Sequence, residues 1–337
     1  MKSFKNVIRL FSFVFLLIFT SACSINFNAD SANQQNAQQP PAEQLSAQDV
    51  LKKSLEEMQK LKGYKWQVTA NQNIKASEPG IGATTTINAG IDYLDEMNFR
   101  SDMQISTEFS QDQSRENLSW EIIAKDNTVY IRDGVNNKWA KAKMTPEMVE
   151  HFIGLDQEYS NPDFILKQVI TDANAVNMTE QNDSYVVELT LNDPNKIKPY
   201  MEYALRNWQK DADVKHDQIQ FNSFKLTLHI SKADHKLNKV EQNVQVHVPL
   251  NIDPNASIDF DQKMNFDFRG EVTSITVPSD AQSAPEVDLN SSDSRTYKPG
   301  SIFKGIEGGI DPNFGSDSSN SSGSDKEPFV DPSFGSY

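Results

Sequence analysis

Tyr64-Lys65-Trp66-Gln67-Val68-Thr69-Ala70-Asn71 decides the fold class. Apolar residues sit at the even positions and polar residues at the odd ones. That period of two belongs to a strand with one dry face and one wet face. The rhythm returns in Thr84–Tyr93, in Met97, Phe99, Met103, Ile105 and Phe109, and in Leu118, Trp120, Ile122 and Ala124. Val129–Arg132 and Lys138–Lys141 flank the turn residues Asp133-Gly134-Val135-Asn136-Asn137 and read as a hairpin. Further on come Tyr185, Val187, Leu189 and Leu191, then Phe224, Leu226, Leu228 and Ile230, then Val244, Val246, Val248 and Leu250. Ile258, Phe260, Met264, Phe266 and Phe268 follow, and Val272, Ile275 and Val277 close the run at Pro278. Strands with one wet face make an antiparallel sheet. The pattern before and after the intervening helices is the same, so residues 46–278 read as one α+β domain.

The period changes to helical in a few places. Ser46 with Asp49 fits a capping box, and Leu51, Leu55, Met58 and Leu61 follow at helical spacing, predicting a helix over 47–62. Gly63 stands where a C′ glycine belongs. Thr145-Pro146, Asn161-Pro162 and Asp193-Pro194 each put a capping residue before a proline at the first helical position, predicting helices over 146–155, 162–171 and 194–209. Their apolar sides carry Phe152, Phe164, Ile165, Tyr200, Ala204 and Trp208. Such stripes serve either as plain core against the sheet or as the lid of a ligand cavity.

Outside the domain, composition changes. Lys2, Lys5 and Arg9 precede an apolar run from Leu10 to Phe19, and Thr20-Ser21-Ala22 leads into Cys23. This is the plan of a signal peptide over 1–22, with an apolar run shorter than the roughly 20 residues of a spanning helix. The small residues before Cys23 resemble a bacterial lipobox, although Thr20 replaces the usual apolar residue three before the cysteine. The resemblance implies a diacylglyceryl (palmitate-type) cysteine as mature N-terminus, held at the extracytoplasmic face of a Gram-positive plasma membrane by two acyl chains. An ordinary secretory signal with a chance cysteine, or an uncleaved anchor, are the alternatives. Residues 23–45 are rich in Asn, Gln and Ala and read as a tether with a reach of roughly 25 Å. Residues 279–337 have the Ser, Asp, Gly and Pro composition of a disordered acidic tail. Within it Ile310-Asp311-Pro312-Asn313-Phe314-Gly315 recurs as Val330-Asp331-Pro332-Ser333-Phe334-Gly335. Phe314 and Phe334 are candidate docking residues for an envelope protein partner; low-complexity drift is the other explanation.

The formal net charge is −15, and loss of a leader containing three basic residues makes the remainder more acidic. An anionic body is ill suited to nucleic acid. Cys23 is the only cysteine, so no internal disulfide forms. No nucleophile elbow, phosphate-binding loop, HExxH or paired CxxC is present. The five histidines lack ligand spacing. Asp211, Asp213, His216 and Asp217 form an acidic loop that either is solvated or offers oxygens to Ca²⁺. It lacks the glycine and terminal glutamate of an EF-hand. Asp259, Asp261 and Asp267 with Lys263 read as a wet strand face. Neither an enzyme nor a cofactor is expected.

The order of helix, long meander, hairpin, helical insert and further strands resembles the LolA-like superfamily, which includes the LppX and LprG type of lipoproteins. The closest likeness is to Gram-positive lipoproteins of unknown function in that group. The residues carrying it are Leu51-Lys52-Lys53-Ser54-Leu55-Glu56-Glu57-Met58, Leu61-Lys62-Gly63-Tyr64, Val129-Tyr130-Ile131 with Lys138-Trp139, and Val272-Thr273-Ser274-Ile275-Thr276-Val277-Pro278. The resemblance implies a strongly curved antiparallel half-barrel with helices over its concave face. It also implies a space between them that holds acyl chains or another hydrophobic envelope molecule. A non-catalytic lipoprotein that docks a protein partner through its tail is the alternative.

Overall fold

The computed structural model describes residues 45–95, 97–134, 137–144, 162–208, 214–251 and 253–287. Eleven strands form one sheet in the order β6-β5-β4-β3-β2-β1-β11-β10-β9-β8-β7. The first meander holds β1 (Tyr64–Ala76), β2 (Gly82–Asp95), β3 (Asn98–Phe109), β4 (Arg115–Lys125), β5 (Thr128–Asp133) and β6 (Lys138–Lys143). The second holds β7 (Val176–Glu180), β8 (Ser184–Leu191), β9 (Gln220–Ser231), β10 (Leu237–Pro249) and β11 (Ser257–Glu271). Every strand pairing is antiparallel, and β1 joins the meanders by pairing with both β2 and β11. β6 and β7 do not meet, so the sheet stays open, as a half-barrel does.

The alternation seen in the sequence fixes which face is dry. Val68, Ala70 and Ile74 of β1 are buried, while Lys65, Asn71 and Lys75 in the alternate phase are exposed. Cross-strand register carries that face outward: Ala70 lies opposite Ile87 and Met264, and Ile87 lies opposite Ile105. Each fully buried aliphatic or phenyl side chain of this face contributes about 1.5–3 kcal/mol. A bulge between Lys65 and Trp66 sets Arg269 as an extra residue on β11, and Gly270 beside it takes φ +128°. Such bulges bend the strand and increase its twist.

Among the described residues, four α-helices accompany the sheet: α1 (Ala47–Met58), α2 (Pro162–Thr171), α3 (Pro194–Trp208) and the short α4 (Ser279–Gln282). The capping box of α1 is present, with Asp49 N–H donating to Ser46 Oγ and Ser46 N–H donating to Asp49 Oδ2, both at 3.2 Å. α1 ends at Met58, earlier than the 47–62 expected from the pattern. Gly63 is therefore no helix cap. Its role is close approach: a Cβ there would lie 2.4 Å from the Tyr93 carbonyl oxygen and 2.9 Å from that of Val272. The predicted helix over 146–155 falls outside the described residues.

The chain keeps packing beyond β11, through Pro278 and past it. Val272, Ile275, Val277, Ala281 and Ala284 cross the outer face and bury Ile123 and Trp139. Lys141 N–H then donates to the Pro285 carbonyl at 3.0 Å, and Val287 N–H donates to the Lys141 carbonyl at 2.8 Å. This strap covers part of an edge strand that would otherwise offer its backbone to another chain. β7 limits the opposite edge by being only 5 residues long.

Candidate ligand site

The inner face of the sheet and the buried sides of α1, α2 and α3 form one apolar cluster. Val50, Leu51 and Met58 of α1, Ile165, Leu166 and Val169 of α2, and Ile197, Tyr200 and Met201 of α3 belong to it. So do Ile74, Ile87, Phe109, Phe224, Leu226, Val244 and Phe260 from the strands. Tyr200 ties two helices to the sheet. Its hydroxyl donates to Asp172 Oδ2 at 2.7 Å, just past α2, and its ring lies 4.9 Å from that of Phe224 on β9. Burial, with the Asp172 carboxylate beside it, pushes the Tyr200 hydroxyl far above its ordinary range, so it remains a donor. At the other end of α2, burial raises Asp163 against a Gln59 hydrogen bond and the charge of Lys167. Tyr64 is pushed up by burial and by Asp163.

A row of polar residues interrupts the apolar floor. Thr107 lies opposite Thr85, Thr85 opposite Gln72, and Gln72 opposite Gln262, crossing β3, β2, β1 and β11 on one face. Gln242 follows on β10, opposite Met264. All five are buried. Thr85 and Thr107 share a hydrogen bond at 3.0 Å, Gln72 Nε2 donates to Gln262 Oε1 at 3.4 Å, and Gln262 Nε2 points at Met264 Sδ. The Oε1 atoms of Gln72 and Gln242 receive no donor from the chain. Buried carbonyls of this kind usually have one. The sequence carries a signal for this ribbon. Gln72, Gln242 and Gln262 occupy the apolar phase of Ala70-x-Gln72-x-Ile74, Val240-x-Gln242-x-Val244 and Phe260-x-Gln262-x-Met264.

Of the residues singled out from sequence, Ile165 and Tyr200 share the cluster with the sheet. Phe164 is buried on α2 but outside that cluster. Ala204 and Trp208 lie on α3. Phe152, Cys23, Phe314 and Phe334 fall outside the described residues, as do Asp211 and Asp213 of the acidic loop. His247 and Asp259 pair on the outer face at 2.7 Å. Among the described residues no group of three or more His, Cys, Asp or Glu side chains is placed to hold a metal ion. A separate open groove of about 490 Å³ lies on the outer face. Thr86, Asn88, Gln104, Asn117, Ser119 and Gly134 are among its lining.

An open antiparallel sheet of two meanders with helices sharing its dry face defines the class of fold. The chain belongs to a family of unknown function, DUF6612, whose model matches residues 46–286. No curated protein matches it. Among solved structures, LprF from Mycobacterium bovis is similar at 13% identity over 70% of this chain and 97% of that one, with TM-score 0.35. A putative outer membrane lipoprotein-sorting protein domain from Vibrio parahaemolyticus is similar at 10% identity over 66% of this chain and 93% of that one, with TM-score 0.19. Lipovitellin is 8% identical over 64% of this chain, which spans 26% of that chain, with TM-score 0.28. Likeness at these identities and scores carries no inference about function.

Proposed function

We propose that the protein is a non-catalytic lipoprotein, anchored through Cys23 to the extracytoplasmic face of the membrane. Between sheet and helices it holds a lipid or another hydrophobic molecule. One observation supports this most: buried glutamine carbonyls that lack donors stand in the floor of an otherwise apolar interior. A core evolved only for packing gains nothing from such groups. A binding interior pairs an apolar lining with a few polar groups that fix orientation. α1, α2 and α3 serve as the roof on this reading. Mass spectrometry of an organic extract of the purified protein tests it. A reproducible lipid species at near one per chain is expected; consistently empty protein counts against it. For the anchor, Cys23→Ala should move the protein from the membrane fraction to the medium.

A second reading rests on the repeated Asp-Pro-x-Phe-Gly of the tail, which suits a bivalent docking motif. Phe314→Ala with Phe334→Ala should then abolish co-purification of an envelope partner, and unchanged partners would remove the motif's role.

A further inference from the structure

We propose that the groove on the outer face is a separate binding site, which takes a saccharide through its hydroxyl groups. The site is distinct from the interior and does not depend on the carrier reading. It lies over β2, β3 and β4. Cross-strand register builds its floor from two rows: Thr86, Ser106 and Asn117 form one, and Asn88, Gln104 and Ser119 the other. Ile105 and Leu118 border the groove too, but their side chains pack with the inner apolar cluster. The floor therefore shows a ligand three hydroxyls and three carboxamides. Each of these groups both donates and accepts a hydrogen bond. So does each hydroxyl of a sugar.

These side chains are not engaged with one another. Among the described residues, Asn88, Gln104, Ser106, Asn117 and Ser119 hydrogen-bond to no other side chain, and Thr86 Oγ1 donates only to Asn71 Oδ1, at 3.5 Å. Elsewhere on the outer face, polar groups are paired. At the next outward position beyond the first row, Arg115 bridges Glu108 at 2.9 Å. At the next one beyond the second row, Glu121 bridges Arg100 and Arg132. Across the sheet, Gln245 donates to Asp261 at 3.2 Å, and His247 meets Asp259. The groove is an uncharged interval between two ion-paired ends.

Its shape is built as well. At the end of β5, Gly134 N–H donates to the Ser119 carbonyl at 3.0 Å. A Cβ on Gly134 would lie 1.7 Å from Ser119 Oγ, so only glycine lets the chain close in as a wall beside the second row. The resulting 490 Å³ falls in the range of small-molecule sites, about 300–1,000 Å³. The lining also excludes other ligands. No carboxylate lines the groove for a cation, and no apolar side chain points into it for a lipid. Along both rows β2 and β3 are paired on each side, so side chains and not free backbone groups meet the ligand there. A peptide strand binds by adding to such free backbone.

Isothermal titration calorimetry of the full chain with chitotetraose, maltotetraose and mannotetraose tests the site. At least one should bind saturably, at one per chain. Asn88→Ala with Gln104→Ala should weaken that binding about tenfold, the scale of two hydrogen bonds. Both positions are exposed, so the variant keeps its fold. Asn243→Ala with Gln245→Ala removes two amides from the outer face of β10, outside the groove, and should leave the affinity unchanged. Failure of all three sugars to bind overturns the proposal. So does affinity that survives the Asn88 and Gln104 substitutions, or an acetylated tetra-alanine amide bound as tightly as the sugars. None of these probes carries an acyl chain, so each result leaves the carrier reading to its own test.

Discussion

Gly63 shows how much one missing atom matters. Its hydrogen stands where a Cβ would meet two backbone carbonyls, those of Tyr93 and Val272, neither of which can swing aside. Gly63→Ala is expected to cost about 2 kcal/mol or more, read from denaturant midpoints at unchanged slope. Glu121 makes a different case. It is 3% exposed on the outer face and bridges Arg100 at 2.7 Å and Arg132 at 2.5 Å. Removing one partner of a fully buried pair costs several kcal/mol, but both arginines reach solvent and can rehydrate. Glu121→Ala should therefore cost about 2 kcal/mol. Asp163 gives a pH signature. Burial raises its folded-state pKa, so its protonated form is favoured in the native protein. Stability from this group is full below the ordinary value of 3.8 and is lost as pH rises through the raised value. Asp163→Asn should raise the melting temperature at pH 7, with the gain vanishing below about pH 4; a gain independent of pH would contradict the assignment.

At the level of elements, most of the strands were legible because one side of each is dry and the other wet. β1, β3, β9 and β10 announce themselves by period alone. β7 does not: with only Val176 and Met178 on its inner side, its 5 residues are too few to show a rhythm. The tight β4–β5 turn lacks a glycine to mark it, and Asp126 and Asn127 take the left-handed backbone (φ 49° and 65°) that such residues tolerate. Leu61 continues the apolar spacing beyond Met58, so the pattern overshoots the end of α1. The polar ribbon escaped because each glutamine looks like a lone interruption of its own strand. Only register places them in one line. The strap after Pro278 was hidden by its composition, since Ala281, Ala284 and Val287 are small or isolated apolar residues. Truncation after Pro278 should expose Ile123 and Trp139 and free the β6 edge. The expected result is a lower melting temperature and concentration-dependent self-association in light scattering; a truncated chain that stays monomeric would contradict the role given to the strap.

For the whole molecule, the seam between β1 and β11 matters most. Tyr64 pairs with Glu271 and Ala76 with Ile258, so the centre of the sheet joins the two ends of the packed chain. Closing contacts that far apart is slow, and both meanders have unpaired edges until the seam forms. The same seam places the glutamine ribbon at the sheet's middle and unites floor and helices in one apolar interior. Where a bound molecule lies relative to that seam is the most direct test. A monoacylglycerol carrying a photoactivatable diazirine midway along its chain, irradiated on the full-length protein and mapped by peptide mass spectrometry, should label inner-face residues of β1, β10 and β11 or their helix neighbours. Labelling confined to the outer groove around Thr86, Asn88 and Gln104, or none above that of unfolded protein, would contradict it.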